Sequence, residues 1–207
     1  MGQYYRPALI DEHGKLGWLL CYNYDNGAKL MEHSYIGNNF VNAVLSMIFR
    51  NHMKVAWIGD YSDTPIEDAY SRKIDEEKFQ IIYSSVWGDG SDFKRIRPKV
   101  AHKLTCRMKN RYLVNHTQKL YIDFGRYTLE NCWKESYKWQ GKNRNSTWCI
   151  NPLPLLTACG NDRGGGDFHS GNTGYDLVGT WAFDLIEYTD KKPDYEEQIV
   201  HFREDAA

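Results

Sequence analysis

The chain has 207 residues, enough for one large domain or two closely packed subdomains. Its 26 basic and 27 acidic residues give a net charge of -1, which provides no overall positive field for nucleic acid. The N-terminus lacks a basic region followed by an apolar stretch, and no apolar run reaches about 18 residues. We therefore expect no signal peptide, no membrane span and a cytoplasmic location.

Aromatic residues and cysteines bear on the fold and on the redox state. The 15 Tyr, 8 Phe and 7 Trp favour pleated, half-buried surfaces. The five cysteines contain no C-x-x-C pair, so we expect reduced thiols rather than a zinc ribbon or a disulfide framework. We predict a single α+β domain over 1–207, mainly antiparallel sheet, with about two helices in the N-terminal half. Within it, an N-terminal α/β part at 1–75 would pack on a β-rich part at 105–207.

The first half of the chain predicts strands alternating with helices. Apolar residues at helical spacing predict a helix over 38–48 that begins at Asn38 or Asn39. The other predicted elements of this half are a strand over 16–24 with a turn at 25–27, a strand over 54–58, a helix that begins near Thr64, and a long loop over 84–97.

The second half predicts mostly strands. Residues 112–115 and 119–124 alternate like two strands of a hairpin, with His116 in the connecting loop. The polar stretch 133–145 predicts an exposed excursion, and Pro152 and Pro154 allow only edge or broken strands at 147–150 and 153–158. The apolar run at 177–188 predicts the longest strand of this half.

A glycine-rich segment before that run is the strongest candidate for a binding site. Three consecutive glycines let main-chain amides approach an anion, and an arginine can add a bidentate grip. The segment matches neither G-x-x-x-x-G-K-S/T nor G-x-G-x-x-G, and a tightly turned connection is the alternative interpretation. The predicted ligand-binding residues are Asn161, Arg163, Gly164, Gly165, Gly166, Asp167 and His169, joined by His116 and Asp60. The favoured function is binding of a nucleotide-like or other anionic small molecule.

Clustered acidic residues and histidines offer a second function, a metal-dependent hydrolase of the phosphoester class. Carboxylates and imidazoles are ligands for divalent ions that activate water. The candidate residues are Asp60, Asp63, Asp167, His116 and His169. No H-x-H or H-E-x-x-H spacing brings them together, and Asp60 and Asp63 could equally cap a helix. The sequence thus leaves open whether the chain is an enzyme, which residues would be catalytic and which cofactor it uses.

A third function is protein interaction or a structural role in a virion, with a host protein as partner. Trp133 and Trp139 stand in a polar stretch, where burial within the same domain is less assured. The basic segment 94–111 could add a contact surface and leaves nucleic-acid binding open, although a solvated face is the more ordinary role of such a run. The oligomeric state does not follow from the sequence.

Five segments together carry a resemblance. They are YDNGAKLMEH at 24–33, WIGDYSD at 57–63, YLVNHTQKLYID at 112–123, NPLPLLTACGNDRGGGDF at 151–168 and LVGTWAFDLI at 177–186. This set resembles an uncharacterised family of small bacteriophage and bacterial proteins with the pattern VNHT…PLPLLTAxGNxRGGGD…VGxWAxD. That pattern often has His, Gly and Gly where this chain has Asn151, Asp162 and Phe183. The resemblance implies a phage or bacterial origin, and the host cytoplasm if a phage encodes the chain, but no catalytic residue.

Overall fold

A computed structural model gives the architecture of most of the chain. It describes residues 2–62, 73–88, 110–127, 150–160 and 177–200, and the backbone of two strands at 133–139 and 142–148. Of the helices in these ranges, none has the length and apolarity needed to cross a membrane.

The described ranges contain four α-helices and ten strands. The helices are α1 (Leu30–His33), α2 (Asn39–Met47), α3 (Glu76–Trp87) and α4 (Pro152–Leu156). The strands are β1 (Tyr5–Ile10), β2 (Leu16–Trp18), β3 (Met53–Gly59), β4 (Tyr112–Asn115), β5 (Leu120–Asp123), β6 (Trp133–Trp139), β7 (Lys142–Trp148), β8 (Ala158–Cys159), β9 (Leu185–Thr189) and β10 (Glu196–Glu197). The α+β class and the mainly antiparallel sheet are therefore confirmed.

The two longest helices begin at side-chain caps. The Asn38 carboxamide oxygen accepts hydrogen bonds from the amides of Phe40 and Val41, at 2.9 and 3.2 Å, and so begins α2. The Asp75 carboxylate does the same for the amide of Lys78 at 2.9 Å and begins α3. Each cap satisfies amides that lack an intrahelical partner. The helix predicted over 38–48 is confirmed, with Asn38 as its cap.

One sheet joins strands from both halves of the chain. Its order is β10-β5-β4-β9-β3-β1-β2, and β8 adds to β3 off this path. The pairs β3–β8 and β5–β10 are parallel and the others are antiparallel. The predicted hairpin around His116 is present as β4 and β5. Strand β9, near the C-terminal end, lies between β3 and β4, so the sheet is continuous across the two parts predicted at 1–75 and 105–207.

Apolar clusters bury both faces of the sheet around β3. Met53, Val55 and Trp57 belong to a cluster that also contains the apolar side of α2. Ala56 and Ile58 belong to a second cluster that contains the apolar side of α3. Successive strand side chains point to opposite faces, so α2 covers one face and α3 the other. We call these the α2 face and the α3 face.

Two predictions about the second half are wrong. Residues 152–156 form the helix α4 rather than a broken strand, because the Asn151 side chain caps the amide of Leu153 and prolines fit the first helical turn, where no amide hydrogen bond is required. The strand predicted over 177–188 begins only at Leu185, since residues 177–183 form turns that end at Phe183, whose φ is +63°.

Further differences concern loops. Within the stretch 133–145, predicted as an exposed excursion, residues 133–139 and 142–145 belong to the antiparallel pair β6–β7, in which Trp133 is opposite Trp148 and Trp139 is opposite Lys142. Residues 84–87, predicted as the start of a loop, are the last turn of α3. The rest of that loop and the helix predicted near Thr64 lie outside the described residues.

Candidate metal centre

Two histidines and a glutamate from three separate parts of the chain meet on the α3 face, on or at the ends of the interior strands β3, β4 and β9. His52 directly precedes β3, His116 follows β4 in the hairpin loop, and Glu187 lies in the middle of β9. Each of the three offers one ligand atom, and these atoms all lie within 4.8 Å of one another. We call this set the His-His-Glu cluster.

Strand register explains why the three side chains share a face. Lys54 is paired with Leu185, and Glu187 is paired with Val114. Paired residues point to the same side of a sheet, and so do residues two apart along a strand. His52 is two residues before Lys54 and His116 is two residues after Val114, so both follow the alternation that places Glu187 on the α3 face.

The distances within the cluster match those between ligands of one ion. Glu187 Oε2 lies 2.9 Å from His116 Nε2 and 3.2 Å from His52 Nε2, and the two imidazole centroids are 4.3 Å apart. With each ligand about 2.1 Å from an ion, neighbouring ligand atoms would be about 3.0 Å apart in octahedral geometry and about 3.4 Å apart in tetrahedral geometry. An ion could therefore replace the two contacts to Glu187 with small side-chain movements.

The cluster is sheltered on one side and open on the other. The side chains of His116 and Glu187 are 20% and 15% exposed, whereas that of His52 is 52% exposed. Water and a small substrate can thus approach beside His52. Two imidazoles and one carboxylate form a mixed nitrogen and oxygen set, which suits Zn²⁺ and other first-row divalent ions.

A polar network around the buried Asn115 and Asp184 holds the loop that carries His116. The Asn115 carboxamide oxygen accepts hydrogen bonds from the amides of Thr117 and Gln118, at 3.0 and 2.9 Å. The Asn115 side-chain amide donates to Asp184 Oδ2 at 2.7 Å, and this oxygen also accepts from Gln118 Nε2 at 2.6 Å and from Lys73 Nζ at 2.8 Å. Since Asp184 precedes β9, the network fixes the hairpin loop beside the strand that holds Glu187.

The structure places Asp60 far from His116, although the sequence grouped them. Asp60 follows β3 at the end opposite His52, about 26 Å away at the rise of an extended strand. Its Oδ1 accepts a hydrogen bond from the amide of Tyr4 at 3.0 Å, and its own amide donates to the Tyr4 carbonyl at 2.9 Å. Burial raises the pKa of Asp60. Asp60 thus extends the pairing of β1 with β3.

Most of the predicted anion-binding residues lie outside the described ranges. These are Asn161, Arg163, Gly164, Gly165, Gly166, Asp167 and His169. The described Gly160, where this segment starts, packs so closely on Tyr5 that a Cβ would lie 2.2 Å from the phenol oxygen. Because β8 is parallel to β3, the segment starts near Asp60, at the end away from His116. Binding of an anionic molecule by the glycine-rich segment stays a prediction.

Other residues named from the sequence also lie beyond the described part. Asp63 and most of the basic segment, 94–109, are among them. Trp133 and Trp139 are described only as backbone positions in β6, so an interaction surface there stays a prediction as well.

His33 has a structural environment rather than that of a ligand. It is fully buried, its Nε2 accepts a hydrogen bond from Trp57 Nε1 at 2.9 Å, and its Nδ1 lies 3.1 Å from the Gly27 carbonyl. Burial lowers the pKa of His33 to about 4, so the imidazole is neutral at pH 7. Both ring nitrogens are engaged in the core, and none is left for an ion.

Sequence reasoning found His116 but missed His52 and Glu187. Both flank or occupy predicted strands, and alternation gives the face of each residue within its own strand. The information that brings them together is the pairing of β9 with both β3 and β4, which alternation does not contain.

Comparison with known proteins assigns no role to the His-His-Glu cluster. No protein-family model matches the chain, and no curated protein and no solved structure was found to match it. The role of the His-His-Glu cluster therefore has to be inferred from its own geometry.

Proposed function

We propose that the chain binds a divalent transition-metal ion through His52, His116 and Glu187 and uses it to hydrolyse an anionic ester, with phosphoesters as the first class to test. The observation that carries the proposal is the convergence of three ligand atoms of suitable chemistry within 4.8 Å. A metal-dependent hydrolase was one of the functions that the sequence suggested. The proposed metal ligands differ from those suggested by the sequence, because only His116 belongs to both sets.

Among the residues that the structure describes, three protein ligands meet at the site, and this number favours catalysis over a purely structural ion. Structural zinc sites are closed by four protein ligands, whereas catalytic sites commonly have three and leave a position for water. An ion held by His52, His116 and Glu187 would lower the pKa of a bound water and so supply a nucleophile for the phosphorus or carbonyl centre, from which the ester alcohol would leave. The exposed side beside His52 is where such a water and a substrate would enter.

Two lysines near the cluster support an anionic substrate. Lys54 is exposed and follows the alternation that places it on the α3 face, two residues from His52. Lys119 Nζ donates to the hydroxyl of Tyr195 at 3.1 Å, and that hydroxyl lies 3.3 Å from His116 Nδ1. The ammonium groups of Lys54 and Lys119 would attract a phosphate or carboxylate to the cluster and stabilise the negative charge that develops on it.

Metal binding can be tested by titrating the chelator-treated protein with Zn²⁺, Mn²⁺, Co²⁺ and Ni²⁺ in a calorimeter. We expect one ion per chain for the metal that fits. The variants His116→Ala and Glu187→Gln should lose more than about 100-fold in affinity, since even outer-shell changes cost 10–100-fold. His13→Ala is the matched control, because His13 forms an exposed pair with Glu12 at 3.6 Å and takes no part in the cluster. Binding that is absent, or equal in all four proteins, would refute the site.

Hydrolysis is tested separately with the metal-loaded protein. We expect turnover of bis-p-nitrophenyl phosphate or p-nitrophenyl phosphate that disappears with chelator, returns with the metal, and is lost in Glu187→Gln but not in His13→Ala. Tight metal binding without turnover of these phosphoesters, or of a p-nitrophenyl carboxylic ester, would leave the metal site standing and refute the hydrolase.

A further inference from the structure

A phenol lies on the side of His116 that faces away from the proposed ion. The Tyr195 hydroxyl is 3.3 Å from His116 Nδ1, and the two rings meet edge to face with centroids 5.8 Å apart. Lys119 holds this phenol in place. Its Nζ donates to the hydroxyl oxygen at 3.1 Å and lies 4.9 Å from the centre of the Tyr195 ring.

The contacts of His116 favour one tautomer of its neutral imidazole in the metal-free protein. A neutral imidazole carries one N–H, and a carboxylate can only accept. His116 Nε2 lies 2.9 Å from Glu187 Oε2, so a neutral ring carries its proton on Nε2 and its lone pair on Nδ1. In this tautomer Tyr195 donates its O–H to Nδ1, and the Lys119 ammonium group, which can only donate, forms a hydrogen bond to a lone pair of the same oxygen.

An ion on the cluster requires the other tautomer. The nitrogen nearest Glu187 is Nε2, and it can bind an ion only through its lone pair. On binding, Nε2 gives up its proton and Nδ1 takes one up, so the imidazole stays neutral. The new Nδ1–H then needs an acceptor, and the Tyr195 oxygen is the group beside it.

We propose that Tyr195 is the positioning residue of the metal site, serving both tautomers of His116 by donating its hydroxyl proton in the metal-free protein and accepting from Nδ1–H in the metal-bound protein. A hydroxyl can do both, whereas an amide proton or a carboxylate could serve only one of the two states. Metal-ligating histidines are commonly oriented in this way by a partner of the second ring nitrogen. The inference rests on the proposed metal site.

The test combines metal affinity with the ¹⁵N shifts of His116, measured at about pH 8.5, where an ordinary imidazole is neutral. We expect the wild type to change from the Nε2–H tautomer to the Nδ1–H tautomer when Zn²⁺ is added. Tyr195→Phe should fold and bind Zn²⁺ 10–100-fold more weakly, because Nδ1–H loses its acceptor. Tyr121→Phe is the matched control, since the Tyr121 phenol contacts Glu197 at 3.3 Å rather than a histidine, and its affinity should match the wild type.

The outcomes separate this inference from the metal site itself. If Zn²⁺ binds the wild type and Tyr195→Phe equally well, the role of Tyr195 is wrong and the metal site stands. If no protein binds Zn²⁺, the metal site is wrong and the role of Tyr195 falls with it. Should Tyr195→Phe fail to fold, the wild-type spectra still decide, because an Nε2–H tautomer in the Zn²⁺-bound protein would overturn the proposal.

Discussion

Phe183 shows two opposing effects at a single residue. Its φ of +63° is left-handed, which costs a residue with a Cβ about 1–2 kcal/mol. Its side chain is only 3% exposed, and its ring lies 6.1 Å from that of Phe79 in the cluster under α3. Removing a buried phenylalanine ring costs about 3–5 kcal/mol, so packing outweighs the backbone strain. Glycine at this position would suit the left-handed backbone but would leave a cavity where the ring now packs.

This balance predicts an unusual order of stabilities. Phe183→Ala should lower the free energy of unfolding by about 3–5 kcal/mol, because it removes the ring and keeps the strained φ. Phe183→Gly should be about 1 kcal/mol less harmful, because glycine adopts a positive φ without steric cost. Urea unfolding of the three proteins measures both differences. A glycine variant that is less stable than the alanine variant would contradict the left-handed backbone at Phe183.

The buried His33 imidazole predicts a pH dependence of stability. Its pKa is about 4 in the folded protein, against an ordinary 6.5 in the unfolded chain. Between these values the unfolded state binds more protons, so stability rises with pH there. The contribution of neutral His33 is complete above pH 6.5, declines as the pH falls towards 4, and amounts to about 3 kcal/mol.

We expect His33→Gln to remove this dependence. A glutamine oxygen can accept from Trp57, and its amide can donate to the Gly27 carbonyl, but the side chain does not titrate. The variant should be less stable at pH 7, where it lacks the ring packing, and should lose less free energy than the wild type between pH 7 and 4. Urea unfolding across this range is the measurement, with the exposed His13→Gln as the control that should follow the wild type.

At the scale of elements, the hairpin of β4 and β5 depends on one buried carboxylate. Asp184 is 2% exposed and receives three side-chain donors, among which Lys73 is 23% exposed. Asp184→Asn removes the countercharge of Lys73 and presents an amide where Asn115 and Gln118 donate. Breaking a buried ion pair costs about 3–5 kcal/mol, and the partial exposure of Lys73 places the expected loss near the lower value.

The Asp184→Asn prediction has a readout at the metal site as well. We expect weaker Zn²⁺ binding, because the loop that carries His116 loses its attachment beside β9. Asp190→Asn is the control, since it breaks the pairs with Arg50, at 2.6 Å, and with Arg111, at 3.5 Å, without leaving a buried charge, and should therefore cost less than Asp184→Asn. Equal stability losses in the two variants would show that the Asp184 network does not hold the hairpin.

Elements differ in how far the sequence predicts them. The helix capped by Asn38, the strand β3 and the hairpin around His116 follow from local periodicity and turn chemistry, and each is present. Pro152 and Pro154 were misleading because proline is disfavoured within a sheet but fits the first turn of a helix as short as α4. The apolar run at 177–188 is buried as turns and as β9, and periodicity alone does not separate the two.

The candidate site was only partly predictable for a related reason. His116 was identified because its loop is local, defined by two strands that are neighbours in the chain. Its partners are 64 and 71 residues away, at His52 and Glu187. Their meeting depends on the order of strands in the sheet, which is set by the packing of the whole core rather than by any local segment.

For the whole molecule, the decisive feature is the position of β9 in the sheet. It pairs with β3 from the first part of the chain and with β4 from the second, while buried Trp57 and Trp181 belong to the same apolar cluster. Unfolding one part would expose the strand edge and core of the other. The predicted single domain over 1–207 therefore has a physical consequence, because the shared sheet should melt as one unit.

We expect urea unfolding followed by tryptophan fluorescence and by far-ultraviolet circular dichroism to give coincident single transitions. Zn²⁺ at 100 times its Kd should raise the free energy of unfolding by about 2.7 kcal/mol in both signals, because the three ligands form a site only in the folded sheet. The Glu187→Gln variant should show one transition that Zn²⁺ does not shift. The contrary result would be two transitions in the wild type, one of which does not shift with Zn²⁺. It would mean that the parts at 1–75 and 105–207 unfold separately although they share a sheet.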